Sequence, residues 1–166
     1  LLEASRAETE TENRLIREKL FDLARDPKRI YVTPEPKEQV PYLNFSSLEN
    51  ALIQLRDSAE AFQKMYGKSL QLPVARQKEL NAILFQAERS LINVNGLPRR
   101  PWYKHEIYAP GYYTGYGVKT LPGIREAIEQ RNWTEAQEGI DLVSKALQSY
   151  VQDIQKAAAL LTPKPF

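Results

Sequence analysis

The stretch from Asn95 to Ile124, NGLPRRPWYKHEIYAPGYYTGYGVKTLPGI, decides how the rest of the chain is read. It holds four prolines, five glycines, five tyrosines and one tryptophan between two segments of helical periodicity, so it is a long connection. Connections of that length inside a compact domain usually have a purpose. A disordered linker would be poor in aromatics, because burying rings is what offsets the entropy of ordering a chain. The expectation is a folded loop packed against the helices that flank it.

Working outward, the residues on either side read as helices. Asn44 to Tyr66 has Ser46 and Glu49 at capping-box spacing, and Leu48, Ala51, Leu52, Leu55, Ala59, Phe62 and Met65 on one stripe. Gly67 ends it. A third helix runs from about Val74 to Ile92, behind Pro73, with Leu80, Ile83, Leu84, Ala87 and Leu91 facing inward. Beyond the loop, Pro122 to Gln130 reads as a short helix with Ile124, Ala127 and Ile128 on its apolar face. Asn132 and Glu135 then cap the last and longest helix, about Thr134 to Leu161. Its Ala136, Ile140, Val143, Leu147, Tyr150, Ile154, Ala157 and Leu161 recur at steps of four and three, a seam for shallow-angle packing that serves mainly the chain's own core. Thr162 and Pro163 end it.

The N-terminal part is different. Leu1 to Arg25 has no glycine or proline, with acids early and bases late, as the helix dipole favours. Its apolar residues Leu15, Ile16, Leu20, Phe21 and Leu23 cluster near the end, so the earlier turns read as a solvated or partner-facing extension that stops at Asp26 and Pro27. Prolines 27, 34, 36 and 41 then keep the connector extended. The expected fold class is all-α: an antiparallel four-helix bundle with one long ordered loop. As a single helical domain, residues 1–166 divide into a first helix (1–26), an extended connector (27–43), two helices (44–92), the structured loop (93–121) and a short plus a long helix (122–161).

Composition narrows the chemistry. Twenty-three basic residues against 21 acidic ones give a net charge of +2, which offers no electrostatic reason for a nucleic-acid partner or an anionic membrane. The longest apolar run, Ala157 to Leu161, is far short of the about 20 residues that span a bilayer. With no cysteine there is no disulfide, cysteine nucleophile or thiolate metal site. His105 is the only histidine, and a hydrolytic metal site draws on several converging ligands, so His105 reads as a packed, hydrogen-bonded residue and no metal or catalytic residue is expected. Gly115 to Gly117 lacks the spacing of a phosphate loop. The cations Arg99, Arg100, Lys104 and Lys119 interleave with Trp102, Tyr103, Tyr108, Tyr112, Tyr113 and Tyr116 in a way that can stack bases or sugars. The preferred reading is that the rings pin the loop to the bundle while the cations cap helix ends or pair with acids. A chain that opens at Leu1, already in a helical pattern, reads as a piece of a longer protein.

GLPRRPWYKHEIYAP (96–110), YTGYG (113–117) and LPGIREAI (121–128) together resemble the hallmark stretch of the dimerisation domain in the glutamate carboxypeptidase II and transferrin receptor family. The resemblance extends through NFSSLENALIQL (44–55) and ELNAILFQAERSLI (79–92), covering roughly Tyr42 to Leu161. It implies a helical domain that makes much of a homodimer contact, with two zinc ions and the catalytic glutamate in a separate peptidase domain of the parent and no cofactor in this fragment. It also implies that the loop folds over that peptidase domain and lines its substrate pocket. In glutamate-specific members an adjacent lysine and tyrosine there bind the substrate carboxylates. The same interval places the tyrosine at Tyr116, with Tyr113 nearby, but puts Gly115 where the lysine stands, which implies a different or broader preference unless Lys119 substitutes. An exported parent is implied in the same way. The transferrin receptor branch keeps a second reading open, that of a non-catalytic, receptor-like or ligand-binding module using the tyrosine-rich loop.

Overall fold

The computed structural model describes residues 1–23, 26, 28–30, 32–67 and 69–162. Arg25, Pro27 and Pro163, to which the sequence assigns parts in ending the first and last helices, lie outside the described residues. Six α-helices are present among those described: α1 (Leu2–Arg17), α2 (Leu20–Leu23), α3 (Ser46–Tyr66), α4 (Val74–Ala87), α5 (Pro122–Glu129) and α6 (Trp133–Leu161). A two-stranded sheet joins β1 (Tyr108–Pro110) to β2 (Val118–Thr120). The fold is thus mostly helical rather than purely so, because the loop folds back on itself as an antiparallel hairpin with Tyr108 opposite Thr120 and Pro110 opposite Val118.

The spine is α6. Ala136, Ile140, Val143, Leu147, Ile154, Ala157 and Leu161 of its seam are all buried, so the seam serves the chain's own core. Tyr150 is only half-buried, and Val151 takes its place in the interior. Towards the N-terminal end of α6 these side chains meet Leu43, Leu48 and Ala51 with Ile124, Ala127 and Ile128. Towards its C-terminal end Ala157 and Leu161 meet Leu80, flanked by Phe62, Met65, Ile83 and Leu84.

Among α3, α4 and α6, successive helices alternate in direction. Ser47 bonds Ser144 at 3.1 Å and Gln155 bonds Ser58 at 3.1 Å, both pairs separated by 97 residues, so α3 and α6 run parallel in a fixed register. Against α4 the order reverses, with Arg76 donating to the Leu160 carbonyl and Ser90 to Asp153, so α4 is antiparallel to α6. Three consecutive helices that alternate in direction leave the first and third parallel, so α3 and α6 run the same way with α4 reversed between them in chain order. The buried stripe of α3 is Leu48, Ala51 and Ser58, with Leu55, Phe62 and Met65 partly covered, while Leu52 and Ala59 point to solvent.

The caps explain several boundaries. Asn132 accepts from the Glu135 amide at 3.2 Å and so starts α6 as its sequence spacing indicates. The Ser46/Glu49 box does not form, since Ser46 is already helical and Asn44 accepts its amide instead. Pro122 opens α5 behind Leu121, which takes a left-handed φ of 49°. Instead of running to Ile92, α4 tightens after Ala87 into a 3-10 turn at Glu88–Leu91.

At the N-terminus the expected first helix breaks at Lys19, whose φ is 56°. The docked half is the early one, the reverse of the solvated extension expected there. Leu2 packs on the core, Thr9 is buried, and Asn13 exchanges two hydrogen bonds with the backbone of Lys37 in the connector. Arg131, in the turn between α5 and α6, ties these parts together by donating to Thr9 at 2.8 Å and to the Glu38 carbonyl. Polar ties rather than an apolar stripe hold α1, so no packing requires the helix to continue past Arg17. The segment is an attachment to the α3–α6 core, not a fourth member of a regular bundle.

Candidate functional site

The connection between α4 and α5 is built in two tiers. The lower tier, residues 92–110, is pinned by backbone: Asn93 N–H donates to the Lys104 carbonyl at 2.8 Å, Leu97 to Tyr103 at 2.8 Å and Glu106 to Leu91 at 3.0 Å. Leu97 and Ala109 are its buried apolar anchors. Gly96 sits at φ 69° with the Pro101 backbone so close that a Cβ would overlap it, so this turn admits only glycine.

At the centre of the tier is an ion pair that the sequence does not announce. Arg100 and Glu126 are each only 3% exposed, and an Arg100 guanidinium nitrogen lies 2.6 Å from Glu126 Oε2. The second fork nitrogen donates to the Pro110 carbonyl. Glu126 Oε1 accepts the Tyr112 amide at 2.7 Å. The guanidinium also lies between two rings, 5.7 Å from the Tyr103 centroid and 5.8 Å from that of Tyr112. Two further cations of the loop pair with acids: Arg99 grips Glu135 through two bonds of 2.8 Å, and Lys119 lies 2.5 Å from Glu129. The Glu135 carboxylate holds the Arg99 guanidinium pKa above its ordinary value.

His105 is a packed residue, its Nδ1 accepting from the amides of Ile107 and Tyr108 at 3.2 and 3.3 Å. Burial pushes its pKa down, against the opposing pull of the nearby Glu88 carboxylate. Glu106, almost fully enclosed, is pushed up by burial, with a hydrogen bond to Asn93 working the other way. Among the described residues no three histidine or acidic side chains converge in a way that holds a metal ion.

The upper tier is the hairpin tip, residues 111–117, closed by Gly111 N–H to the Gly117 carbonyl at 2.9 Å. Here the rings expected to pin the loop divide. Tyr116 is wholly exposed, Tyr113 is 72% exposed, and Trp102, Tyr108 and Tyr112 also face solvent. Tyr103 and Tyr112 flank the Arg100 guanidinium and the Tyr108 hydroxyl donates to Glu88 at 2.8 Å, so these rings help pin the loop alongside Arg100, Glu126 and the backbone ladder, whereas Tyr116 stands clear. Gly115, at φ 60°, has nothing within 4 Å of where a Cβ would stand. The three residues singled out by the sequence, Tyr113, Gly115 and Tyr116, therefore lie together on one projecting turn. Lys119 is not with them, since it sits on β2 beneath the tip with its side chain 14% exposed and engaged by Glu129. What the sequence reading missed is the Arg100–Glu126 pair. Its one signal was a glutamate on a helix face otherwise made of Ile124, Ala127 and Ile128.

A mostly helical domain with a long α6 spine and a projecting aromatic hairpin defines the class. The chain belongs to the transferrin receptor-like dimerisation domain family, whose pattern it matches over residues 43–155. It is similar to a probable glutamate carboxypeptidase of Arthroderma benhamiae, 37% identical over 109 residues, which is 64% of this chain and 15% of that protein. A probable glutamate carboxypeptidase of Arabidopsis thaliana is 43% identical over 77 residues, 42% of this chain and 11% of its own length. An inactive zinc metalloprotease of Schizosaccharomyces pombe is 31% identical over 117 residues, covering 68% of this chain and 15% of the relative. The chain thus spans less than a fifth of the length of the curated relatives it matches.

Proposed function

We propose that the chain is the homodimerisation module of a glutamate carboxypeptidase-like zinc metallopeptidase, and that its hairpin tip lines the substrate pocket of the parent's peptidase domain. The observation that carries the pocket reading is the contrast within one loop: a base held by buried charge and backbone bonds, and a tip whose Tyr113 and Tyr116 are largely exposed among the described residues. Holding two large rings largely exposed in a fixed turn, one of them touching only the edge or face of Tyr112 among the described aromatic rings, is costly unless a neighbouring surface receives them. The two zinc ions and the catalytic groups belong to the peptidase domain. With Gly115 at the family's lysine position and Lys119 already paired, the tip brings no free cation to the pocket, so substrates ending in residues other than glutamate should be accepted at comparable rates.

Association falls to apolar residues that the fold leaves outside, among them Leu52 and Ile53 on α3, Phe85 on α4 and Leu142 on α6. Substituting Leu52, Phe85 and Leu142 by glutamate tests this. The expected outcome is unchanged helical circular dichroism with a fall to monomer mass. Loss of helicity would mean that these side chains support the fold, and an unchanged dimer would place the interface elsewhere.

A receptor-like, non-catalytic parent is the second reading, favoured by the similarity to a protein named an inactive metalloprotease. In it the exposed Tyr112 and Tyr113 form a ligand surface. Saturable ligand binding that weakens on Tyr113→Ala, in a parent that turns over no peptide, would select this reading.

A further inference from the structure

We infer that Arg100 and Glu126 are positioning residues for the pocket turn, acting as one clamp that sets where Tyr113 and Tyr116 stand. The inference rests on the pocket reading of the tip and assigns the geometry of that pocket to residues that never reach it.

The argument is geometric. The hairpin leaves its base at Pro110 and begins its turn at Tyr112. Arg100 holds the first through the Pro110 carbonyl, and Glu126 holds the second through the Tyr112 amide at 2.7 Å. The two side chains then hold each other at 2.6 Å, both 3% exposed. A single charged bridge thus grips the chain on both sides of Gly111, the residue where a hinge would otherwise form. The grip needs a planar fork with nitrogens pointing to two acceptors and a flat face for the rings of Tyr103 and Tyr112, which lysine does not supply. On the other strand Lys119 and Glu129 make a second tie to α5, so both arms of the hairpin are referred to the same short helix. Six residues of α5, including Glu126, are buried, so the reference point is part of the core.

Burying an ion pair is weak evidence for stability, since well-packed apolar residues of similar size often serve as well. That separates positioning from folding. In the double variant Arg100→Met with Glu126→Leu, the core is kept and the bridge is lost. Hydrogen exchange followed by residue should then show the Gly111 and Tyr112 amides exchanging at least tenfold faster while α3 and α6 keep their protection. Arg100→Lys should fall between, because it keeps the charge without the fork. Protection at Gly111 and Tyr112 that is unchanged in the double variant would overturn the inference, and so would a fully native exchange pattern in Arg100→Lys.

In the peptidase that carries the domain, the same double variant should raise KM at least fivefold with kcat within about twofold, as expected when substrate binding loses a pre-set surface. Faster exchange with unchanged KM would overturn the pocket reading and the functional half of the inference with it, while leaving the clamp itself established. Unchanged exchange with raised KM would keep the pocket and overturn the clamp.

Discussion

The α3–α6 contact and the aromatic hairpin are held by opposite means. Along α6, Ala136, Ile140 and Ala157 lose all contact with solvent in a repeating apolar seam, and the Ser47–Ser144 and Gln155–Ser58 hydrogen bonds mark its parallel register with α3. In the hairpin the large side chains point outward, and order comes from a buried guanidinium, a buried carboxylate and backbone bonds. An apolar seam spreads its stabilisation over many small contacts. The hairpin concentrates it in a few directional ones, which leaves its outer surface free to meet something else.

The largest expected effect comes from breaking the concentrated side. Arg100→Ala leaves Glu126 buried without its cation and should cost about 3–5 kcal/mol in urea unfolding. A loss under about 1 kcal/mol would show that Glu126 is solvated and that the hairpin hangs from its backbone bonds alone. On the distributed side, Ile140→Ala at a fully buried position should cost about 2–5 kcal/mol and lower the unfolding midpoint of the whole domain together. Separate transitions for hairpin and helices would instead make them independent units.

Two carboxyls sharpen the comparison through pH, with opposite signs. Asp153 on α6 is held below its ordinary pKa by the Ser90 hydroxyl at 2.5 Å and then by Lys156. A lowered folded-state value means that its contribution is present above the unfolded pKa and is lost as pH falls through the folded one. Asp153→Asn should therefore cost about 1 kcal/mol at neutral pH, with the deficit closing below about pH 4. Glu106, in the loop base, is raised by burial, so its contribution is present below the ordinary glutamate value and is lost as pH rises through the folded one. Glu106→Gln should then gain about 0.5–1 kcal/mol at neutral pH and nothing in acid. Matching pH profiles for the two variants would erase the distinction between helix and loop. The smallest stability effect is expected at the tip: Tyr116→Ala should change the unfolding free energy by less than about 0.5 kcal/mol, because the ring is wholly exposed.

What the sequence made legible follows the same division. Ile140, Val143 and Leu147 declare their burial by spacing, Asn132 declares a cap three residues before Glu135, and the family was readable from the string at 96–110. The hydrogen bonds that set the register of α3 on α6, Ser47 to Ser144 and Gln155 to Ser58, were not legible, because each joins residues 97 apart in the chain. Nor were β1 and β2, which are three residues each and too short to show alternation. Arg100 and Glu126 stand 26 residues apart, and nothing local links them. The count of aromatic residues told how much ring surface the loop carries, not which way it faces. Tyr113, Gly115 and Tyr116 are chain neighbours, so their sharing one turn follows from the sequence alone, whereas the pair beneath them came only with the structure.

The most direct test of the association reading is the molar mass of the chain by light scattering over a wide concentration range. A stable species of twice 19.1 kDa is predicted. A mass that stays at 19.1 kDa at every concentration would contradict an association surface carried by this domain, and would leave the hairpin as its principal contribution to the parent protein.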